Sequence, residues 1–143
     1  MARYCRYGNV AAKLEALVPK ITSIQTARML FSDWLLFSDT TREHLWVAHL
    51  DKSGRCVHFT ENAGDAGSVS LPIAEIVFDA ISSRAAGIVL AHNHPSGDPR
   101  PSDSDCRFTR KLCAVLNGLD CNLLDHLIFA GGDCTSFRAA GLL

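Results

Sequence analysis

The sequence has 143 residues, of which 48% are hydrophobic, and its formal net charge is −1 at pH 7. This length and composition suit one compact domain with its own core, and the charge gives no general attraction to nucleic acid or anionic lipid. No apolar run approaches the ~20 residues that cross a bilayer, and the first residues do not resemble a signal peptide. Six scattered cysteines without a Cys-x-x-Cys pair indicate buried thiols in a reducing compartment, so we expect a cytoplasmic protein.

Two helices are predicted before the first strand. One is short, over residues 10–18, and ends before a proline, which disfavours helix at the residue that precedes it. Thr22 or Ser23 can cap the second helix, which runs to about residue 37 and places its apolar side chains at three- and four-residue spacing. That spacing gives one apolar stripe, so we expect the second helix to cover a sheet.

A β-hairpin is predicted next. Large apolar side chains indicate a strand over residues 44–50, turn-forming residues follow, and residues 55–60 return as the partner strand. Three histidines are expected to be ordinary polar residues of this hairpin: His44, His49 and His58. Residues 61–68 contain glycine and lack periodicity, which indicates a loop that could border a substrate groove.

The second half of the chain alternates helix and strand. Pro72 suits the first position of a helix that runs to about residue 85. A fully apolar run over residues 88–91, bounded by glycine and a turn, is typical of a buried central strand. The remaining elements are predicted in this order: a helix from residue 102 to 116 or 118, one or two strand segments over 121–130, and a short strand over 134–137.

Two histidines directly follow the predicted central strand. Residues i and i+2 of a strand point to the same face, so His92 and His94 can approach one ion. A loop rich in proline and glycine, residues 95–101, then leads to Ser102, a good helix N-cap, and Asp105 follows in the first helical turn. Two imidazoles and a carboxylate are ligands for a catalytic zinc ion, with a fourth position left for water.

A water molecule activated by a metal also needs a base, and three upstream carboxylates are candidates. Glu75 is more simply a residue of a helix start, and Glu61 a residue of a loop. Glu43 opens a strand that is expected near the histidine-bearing strand, so the geometry favours it. Ser102 could turn its hydroxyl toward a developing oxyanion. The letters His-Asn-His also suggest the HNH nucleases, but those need a ββα metal finger and usually a basic surface.

The spacing of these residues resembles a known motif. His92-x-His94, then seven residues, Ser102, two residues and Asp105, matches the JAMM (JAB/MPN) metalloprotease motif, and the wording of residues 92–97 is similar to the bacterial RadC-like branch. The resemblance covers about residues 40–143, which leaves residues 1–39 as an N-terminal helical segment. It implies a cytidine-deaminase-like α/β fold, in which helices pack a mixed β-sheet and zinc lies at the end of a central strand.

The resemblance also implies a role for each site residue. His92, His94 and Asp105 would bind one zinc ion per chain. Glu43 would hold and deprotonate the zinc-bound water, and Ser102 would assist the tetrahedral intermediate. Known members of the family hydrolyse peptide or isopeptide bonds, so a peptide or protein is the expected substrate.

Some features leave alternatives open. Asp125 and His126 either lie behind the metal ligands or form a buried hydrogen-bonded pair. Ala74 stands where RadC-like proteins often have an arginine, and the 61–68 loop lacks their usual Ser/Gly/Thr pattern. The chain could also be a zinc-containing protein-interaction module, or a DNA-repair-associated accessory protein without peptidase activity. Its charge does not support nucleic-acid binding.

Overall fold

The computed structural model describes residues 20–64 and 73–143. In these ranges the helices are α1 (Ile24–Leu36), α2 (Ile73–Ser82) and α3 (Asp103–Asn117). The strands are β1 (His44–Leu50), β2 (Cys56–Ala63), β3 (Gly87–Asn93), β4 (Asn122–Ala130) and β5 (Asp133–Ser136). The helix predicted over residues 10–18, Pro72 at the predicted start of α2, and residues 65–68 of the predicted 61–68 loop lie outside the described residues.

The strands form one mixed sheet in the order β2-β1-β3-β4-β5. β3 and β4 are parallel, and the other neighbouring pairs are antiparallel. Parallel neighbours need a crossover connection, and α3 supplies it between β3 and β4. The predicted α/β class with a mixed sheet is confirmed. No helix in the described part of the chain is long and apolar enough to span a membrane.

Helices cover both faces of the sheet, which explains why β3 is buried along its whole length and apolar as far as Ala91. Val89 and Ala91 join the core on the α1 face, whereas Ile88 and Leu90 join the core against α2 and α3. Every residue of β3 is buried, as expected for a strand with a helix layer on each side. The parity of β3 therefore assigns His92 to the α3 face.

The first helix forms as its sequence predicts. Ser23 is the N-cap of α1 and shares a reciprocal capping box with Thr26. The buried face of α1 contains Ala27 and Phe31, and Trp34 stacks on Phe59 of β2 with ring centroids 4.7 Å apart. This helix therefore closes the sheet face opposite the one that carries His92.

Two element ends differ by about three residues from the sequence prediction, and β4 adopts one of the two arrangements that the sequence left open. β2 continues to Ala63, because residues 61–63 pair with the first residues of β1 instead of starting the loop. α2 ends at Ser82, and the chain then turns through Arg84, which has a positive φ of 54°. β4 is one continuous strand, because a register shift opposite Ile88 and Val89 absorbs one extra residue before Asp125.

Candidate metal centre

Four chain segments meet at the end of β3. Glu43 directly precedes β1, His92 lies near the end of β3, His94 follows it, and Asp105 stands in the first turn of α3. Pairing of Leu45 with His92 brings the start of β1 beside the histidines. One potential ligand atom from each of the four side chains lies within 4.8 Å of the others, and no other group in residues 20–64 and 73–143 meets this condition.

The converging atoms are two imidazole nitrogens and the oxygens of two carboxylates. Nε2 of His92 lies 2.8 Å from Nε2 of His94, and 3.4 Å from Oδ1 of Asp105. Nε2 of His94 is 3.4 Å from Oδ2 of the same carboxylate. Oε1 of Glu43 is more distant, 4.0 Å from Nε2 of His92. The donor atoms of His92, His94 and Asp105 therefore lie closest together, and the Glu43 carboxylate is slightly farther away.

The outer nitrogen of each histidine ring has a hydrogen-bond partner. Nδ1 of His94 is 2.8 Å from the backbone oxygen of Asp98, which can only accept, so this nitrogen carries the proton and Nε2 presents a lone pair. Nδ1 of His92 is 2.7 Å from Nε2 of His126 on β4. Hydrogen bonds to the outer nitrogen fix the orientation of a ligating imidazole.

Counting protons shows that both Nε2 atoms can present a lone pair to a cation. A chain of four contacts, 2.6 to 2.8 Å long, joins the Asp105 carbonyl, Thr109, His126, His92 and His94 in that order. With neutral rings and the His94 proton committed to Asp98, the chain holds three protons: the Thr109 hydroxyl proton and one on each of His126 and His92. One of the four contacts therefore lacks a proton, and when this is the contact between the two Nε2 atoms, both lone pairs are available to a cation that lies beside them. Imidazole and carboxylate donors suit zinc.

Ser102 fixes the carboxylate of Asp105. As the N-cap of α3, its hydroxyl oxygen accepts a hydrogen bond from the Asp105 backbone N–H at 3.1 Å. The same hydroxyl donates to Oδ2 of Asp105 at 2.6 Å, and the Ser102 backbone N–H donates to that oxygen at 2.7 Å. The helix cap and the orientation of the carboxylate thus depend on one serine.

Asn93 holds the backbone on both sides of Glu43. Its Oδ1 accepts a hydrogen bond from the His44 N–H at 2.7 Å, and its Nδ2 donates to the Arg42 carbonyl at 2.8 Å. Asn93 is 3% exposed, so water does not compete for these bonds. The residue between the two histidines thus ties the Glu43 segment to β3. This role of Asn93 was not predicted from the sequence, although the alternation of a strand already placed Asn93 and His92 on opposite faces.

The pKa shifts of His92 and Asp105 favour the charge states that a metal requires, whereas the shift of His94 opposes metal binding. Burial lowers the pKa of His92 to about 4, so this imidazole is neutral. Burial also acts to raise the pKa of Asp105, but the hydrogen bond with His94, the positive charge that His92 gains at low pH and the bonds from Ser102 outweigh it and lower the pKa. The hydrogen bond with Asp105 raises the pKa of His94, so a proton competes for its Nε2 as the pH falls.

The cluster opens into a cleft with a volume of about 760 Å³. Glu43, His94 and Asp105 line it, together with Phe108 of α3. This volume is in the usual range of ligand-binding clefts, so a substrate segment can reach the converging atoms.

The other predicted residues are placed differently. His126 contacts His92, whereas the carboxylate of Asp125 accepts hydrogen bonds from the Ser136 hydroxyl at 2.6 Å and from the backbone N–H groups of His126 and Arg138. The bonds from Ser136 and Arg138 tie Asp125 to the end of β5 and to the segment that follows it. Glu61 lies on β2 and contacts Nδ1 of His44 at 3.0 Å. Glu75 is exposed in the first turn of α2, so of the three candidate bases only Glu43 joins the cluster.

Comparison with known proteins places these observations in a family. Residues 21–142 match the model of the RadC-like JAB domain. A UPF0758 protein of Aquifex aeolicus (strain VF5) is 41% identical over 106 residues, which are 73% of this chain and 46% of that protein. UPF0758 protein YfjY of Escherichia coli (strain K12) is 38% identical over 125 residues, 85% of this chain and 76% of that protein. The chain thus spans about half of one relative and three quarters of the other.

Proposed function

The chain belongs to the RadC-like JAB domain family, and from that premise we propose that it is a zinc-dependent hydrolase that cleaves an amide bond in a peptide or protein. The observation that carries the proposal is the convergence of four ligand atoms within 4.8 Å at the mouth of a cleft. The proposal includes a cytidine-deaminase-like arrangement of the sheet and helices, with zinc at the end of β3. The five cysteines of the described residues are free, which supports a cytoplasmic location.

His92, His94 and Asp105 are the proposed ligands of one zinc ion. Their donor atoms form the tight part of the cluster, and three protein ligands leave a coordination position open for catalysis. When bound there, zinc supplies Lewis acidity toward an amide carbonyl and lowers the pKa of water to ~7. The chain's own contribution is to orient the two lone pairs and the carboxylate before the metal arrives.

Glu43 is the proposed general base. Its side chain is 26% exposed, its Oε1 lies 4.0 Å from Nε2 of His92, and it lines the cleft. This position suits a carboxylate that takes a proton from water and passes it to the departing amine. Asn93 supports this role because its two hydrogen bonds fix the backbone from which Glu43 projects.

Ser102 is the proposed partner of Asp105, and its hydroxyl can also serve a developing oxyanion. The 2.6 Å hydrogen bond commits the hydroxyl proton to Oδ2 of Asp105. To donate to an oxyanion, the Ser102 hydroxyl must first break its hydrogen bond with Oδ2 of Asp105, while the hydrogen bond from the Ser102 backbone N–H to Oδ2 remains. The hydroxyl therefore cannot serve Asp105 and the oxyanion at the same time.

Glu43→Gln tests the proposal because it removes the base and keeps the shape of the side chain. We expect zinc content to stay at one per chain, while hydrolysis of a mixed peptide and isopeptide library, followed by mass spectrometry, falls by about 10²–10⁴-fold. Glu75→Gln is the matched control, since this exposed glutamate of α2 lies outside the cluster. It should cleave like the parent.

Other outcomes select the alternatives. A Glu43→Gln variant that cleaves as fast as the parent shows that Glu43 is not the base. A parent protein that binds zinc but cleaves nothing in the library is better described as a zinc-containing interaction module. Binding to DNA that weakens steeply with salt would instead indicate a DNA-associated accessory protein.

A further inference from the structure

Thr109 stands at the far end of the hydrogen-bond chain that reaches the candidate metal ligands. It lies on α3 and is 1% exposed, and its Oγ1 contacts Nδ1 of His126 at 2.7 Å. The same hydroxyl donates to the backbone oxygen of Asp105 at 2.6 Å. We infer that Thr109, acting through His126, determines which ring nitrogen of His92 carries the proton and thereby sets the affinity for the metal. The inference rests on the proposed function, because it takes His92 as a ligand.

The direction of the chain follows from what each atom can donate. A hydroxyl has one proton and a carbonyl can only accept, so the Thr109 proton goes to the Asp105 oxygen and Oγ1 accepts from His126 Nδ1–H. Nε2 of His126 then carries a lone pair, and it accepts a hydrogen bond from Nδ1–H of His92. His92 Nε2, with its lone pair free, faces His94 and Asp105.

The opposite direction blocks the site. If Thr109 donates to Nδ1 of His126, the proton of His126 lies on its Nε2 and is donated to Nδ1 of His92. The proton of His92 then lies on its Nε2, where the metal should bind. The oxygens of Thr109 and Asp105 would then face each other at 2.6 Å without a proton between them. Because such a contact between two acceptors is unfavourable where it is shielded from water, and this one is partly buried, the Asp105 carbonyl biases the chain toward the direction that leaves Nε2 of His92 free for the metal.

Because Thr109 and His126 are buried, water cannot take over their hydrogen bonds. His126 is 1% exposed and stacks on Phe137 with ring centroids 4.7 Å apart. The stacking and the two hydrogen bonds hold the imidazole plane, and water has no access to take over the role of the hydroxyl. Thr109 and His126 are therefore positioning residues that act through His92.

Thr109→Val tests the inference because it removes the hydroxyl and keeps the branched shape, and Thr109→Ser keeps the hydroxyl. In competition with a chromophoric chelator at constant pH, we expect zinc affinity to fall about 10–100-fold in Thr109→Val and to stay within about threefold in Thr109→Ser. Thermal unfolding of each variant is recorded in parallel. If Thr109→Val does not fold, Thr109→Ala removes the same hydroxyl without adding bulk.

Nitrogen-15 NMR of the histidine rings gives a readout that packing alone does not move. In the metal-free protein, Thr109→Val should shift His92 from the Nδ1–H toward the Nε2–H tautomer, whereas Thr109→Ser should match the parent. Equal tautomers and equal zinc affinity in all three proteins, with only a lower unfolding temperature in Thr109→Val, would overturn the inference. A parent chain that binds no zinc contradicts the proposed function instead, and the tautomer comparison still decides the role of Thr109.

Discussion

Two clusters of histidine and aspartate lie on the same face of the sheet, yet only one has the geometry of a metal centre. The first, the site cluster, contains His92, His94 and Asp105. The second, the inner cluster, contains His49 of β1, His58 of β2 and Asp79 of α2. Both contain two imidazoles and a carboxylate. Residue types alone therefore do not distinguish them.

The difference lies in how the histidine rings are held. In the site cluster both outer nitrogens are hydrogen-bonded, so the two Nε2 atoms converge at 2.8 Å beside a cleft. In the inner cluster Nε2 of His49 reaches only the Ile76 carbonyl at 3.4 Å, and its buried Nδ1 has no hydrogen-bond partner among the residues described. Nε2 of His58 is 3.5 Å from Asp79. The hydrogen-bond partners of the outer ring nitrogens, and not the presence of imidazoles alone, therefore distinguish the candidate site.

Removing one imidazole from each cluster tests whether only the site cluster binds zinc, and it has the largest expected effect. We expect His94→Ala to weaken zinc binding by at least about 100-fold. The variant removes a proposed ligand, and even the loss of a residue that only supports a ligand typically lowers metal affinity by about 10–100-fold. His58→Ala should bind zinc like the parent. Both affinities can be measured by chelator competition. Equal losses in the two variants would mean that the inner cluster also takes part in binding.

Asn93 supports the site cluster through hydrogen bonds but is not a proposed ligand. Its replacement therefore tests the supporting contacts separately from metal coordination. Asn93→Ala leaves the His44 N–H and the Arg42 carbonyl without their side-chain partner. We expect a loss of about 1–3 kcal/mol in the free energy of unfolding, measured by urea denaturation, with unchanged zinc stoichiometry. Asn93→Asp keeps the acceptor for His44 but places a carboxylate oxygen against the Arg42 carbonyl, so we expect it to lose at least as much stability as Asn93→Ala. A stability equal to the parent in Asn93→Ala would show that the two bonds hold nothing in place.

The inner cluster has its own expected signature, a dependence of stability on pH. Burial lowers the pKa of His49 below its ordinary value of 6.5, so His49 is neutral in the folded protein and binds a proton more readily when unfolded. Its contribution is present above pH 6.5 and is lost as the pH falls below that value. His58 and Asp79 face the same ring.

His49→Phe removes this titration and keeps a planar ring. In urea unfolding at about pH 8 and about pH 5.5, the variant should lose less stability between the two conditions than the parent does. Some loss will remain, because burial also lowers the pKa of His92 and His126. Parallel curves for the two proteins would contradict the assignment to His49.

The sequence predicted the elements well where hydrophobic periodicity decides them. The apolar run before His92 indicated β3, the capping residues indicated α1 and α3, and the i, i+2 rule brought His92 and His94 together. The motif spacing then added Asp105, which lies in the cluster as expected. These features depend on neighbours in the chain, which a sequence displays directly.

What the sequence did not show depends on contacts between distant segments. His49 was expected to be an ordinary polar residue of the hairpin, but α2 covers it and it is 0% exposed. Thr109 was given no role, because only the packing of α3 on β4 brings it to His126. Polar periodicity does not reveal which hydrogen bonds close between a helix and a strand, so the network behind the ligands required the fold.

Anomalous diffraction at the zinc edge tests directly whether zinc binds at the end of β3. In crystals of the zinc-loaded protein, we predict one strong peak per chain, bounded by Nε2 of His92, Nε2 of His94 and the carboxylate of Asp105, with Glu43 beside it. A peak at His49, His58 and Asp79, or a stoichiometrically loaded protein with no peak at the end of β3, would contradict the account.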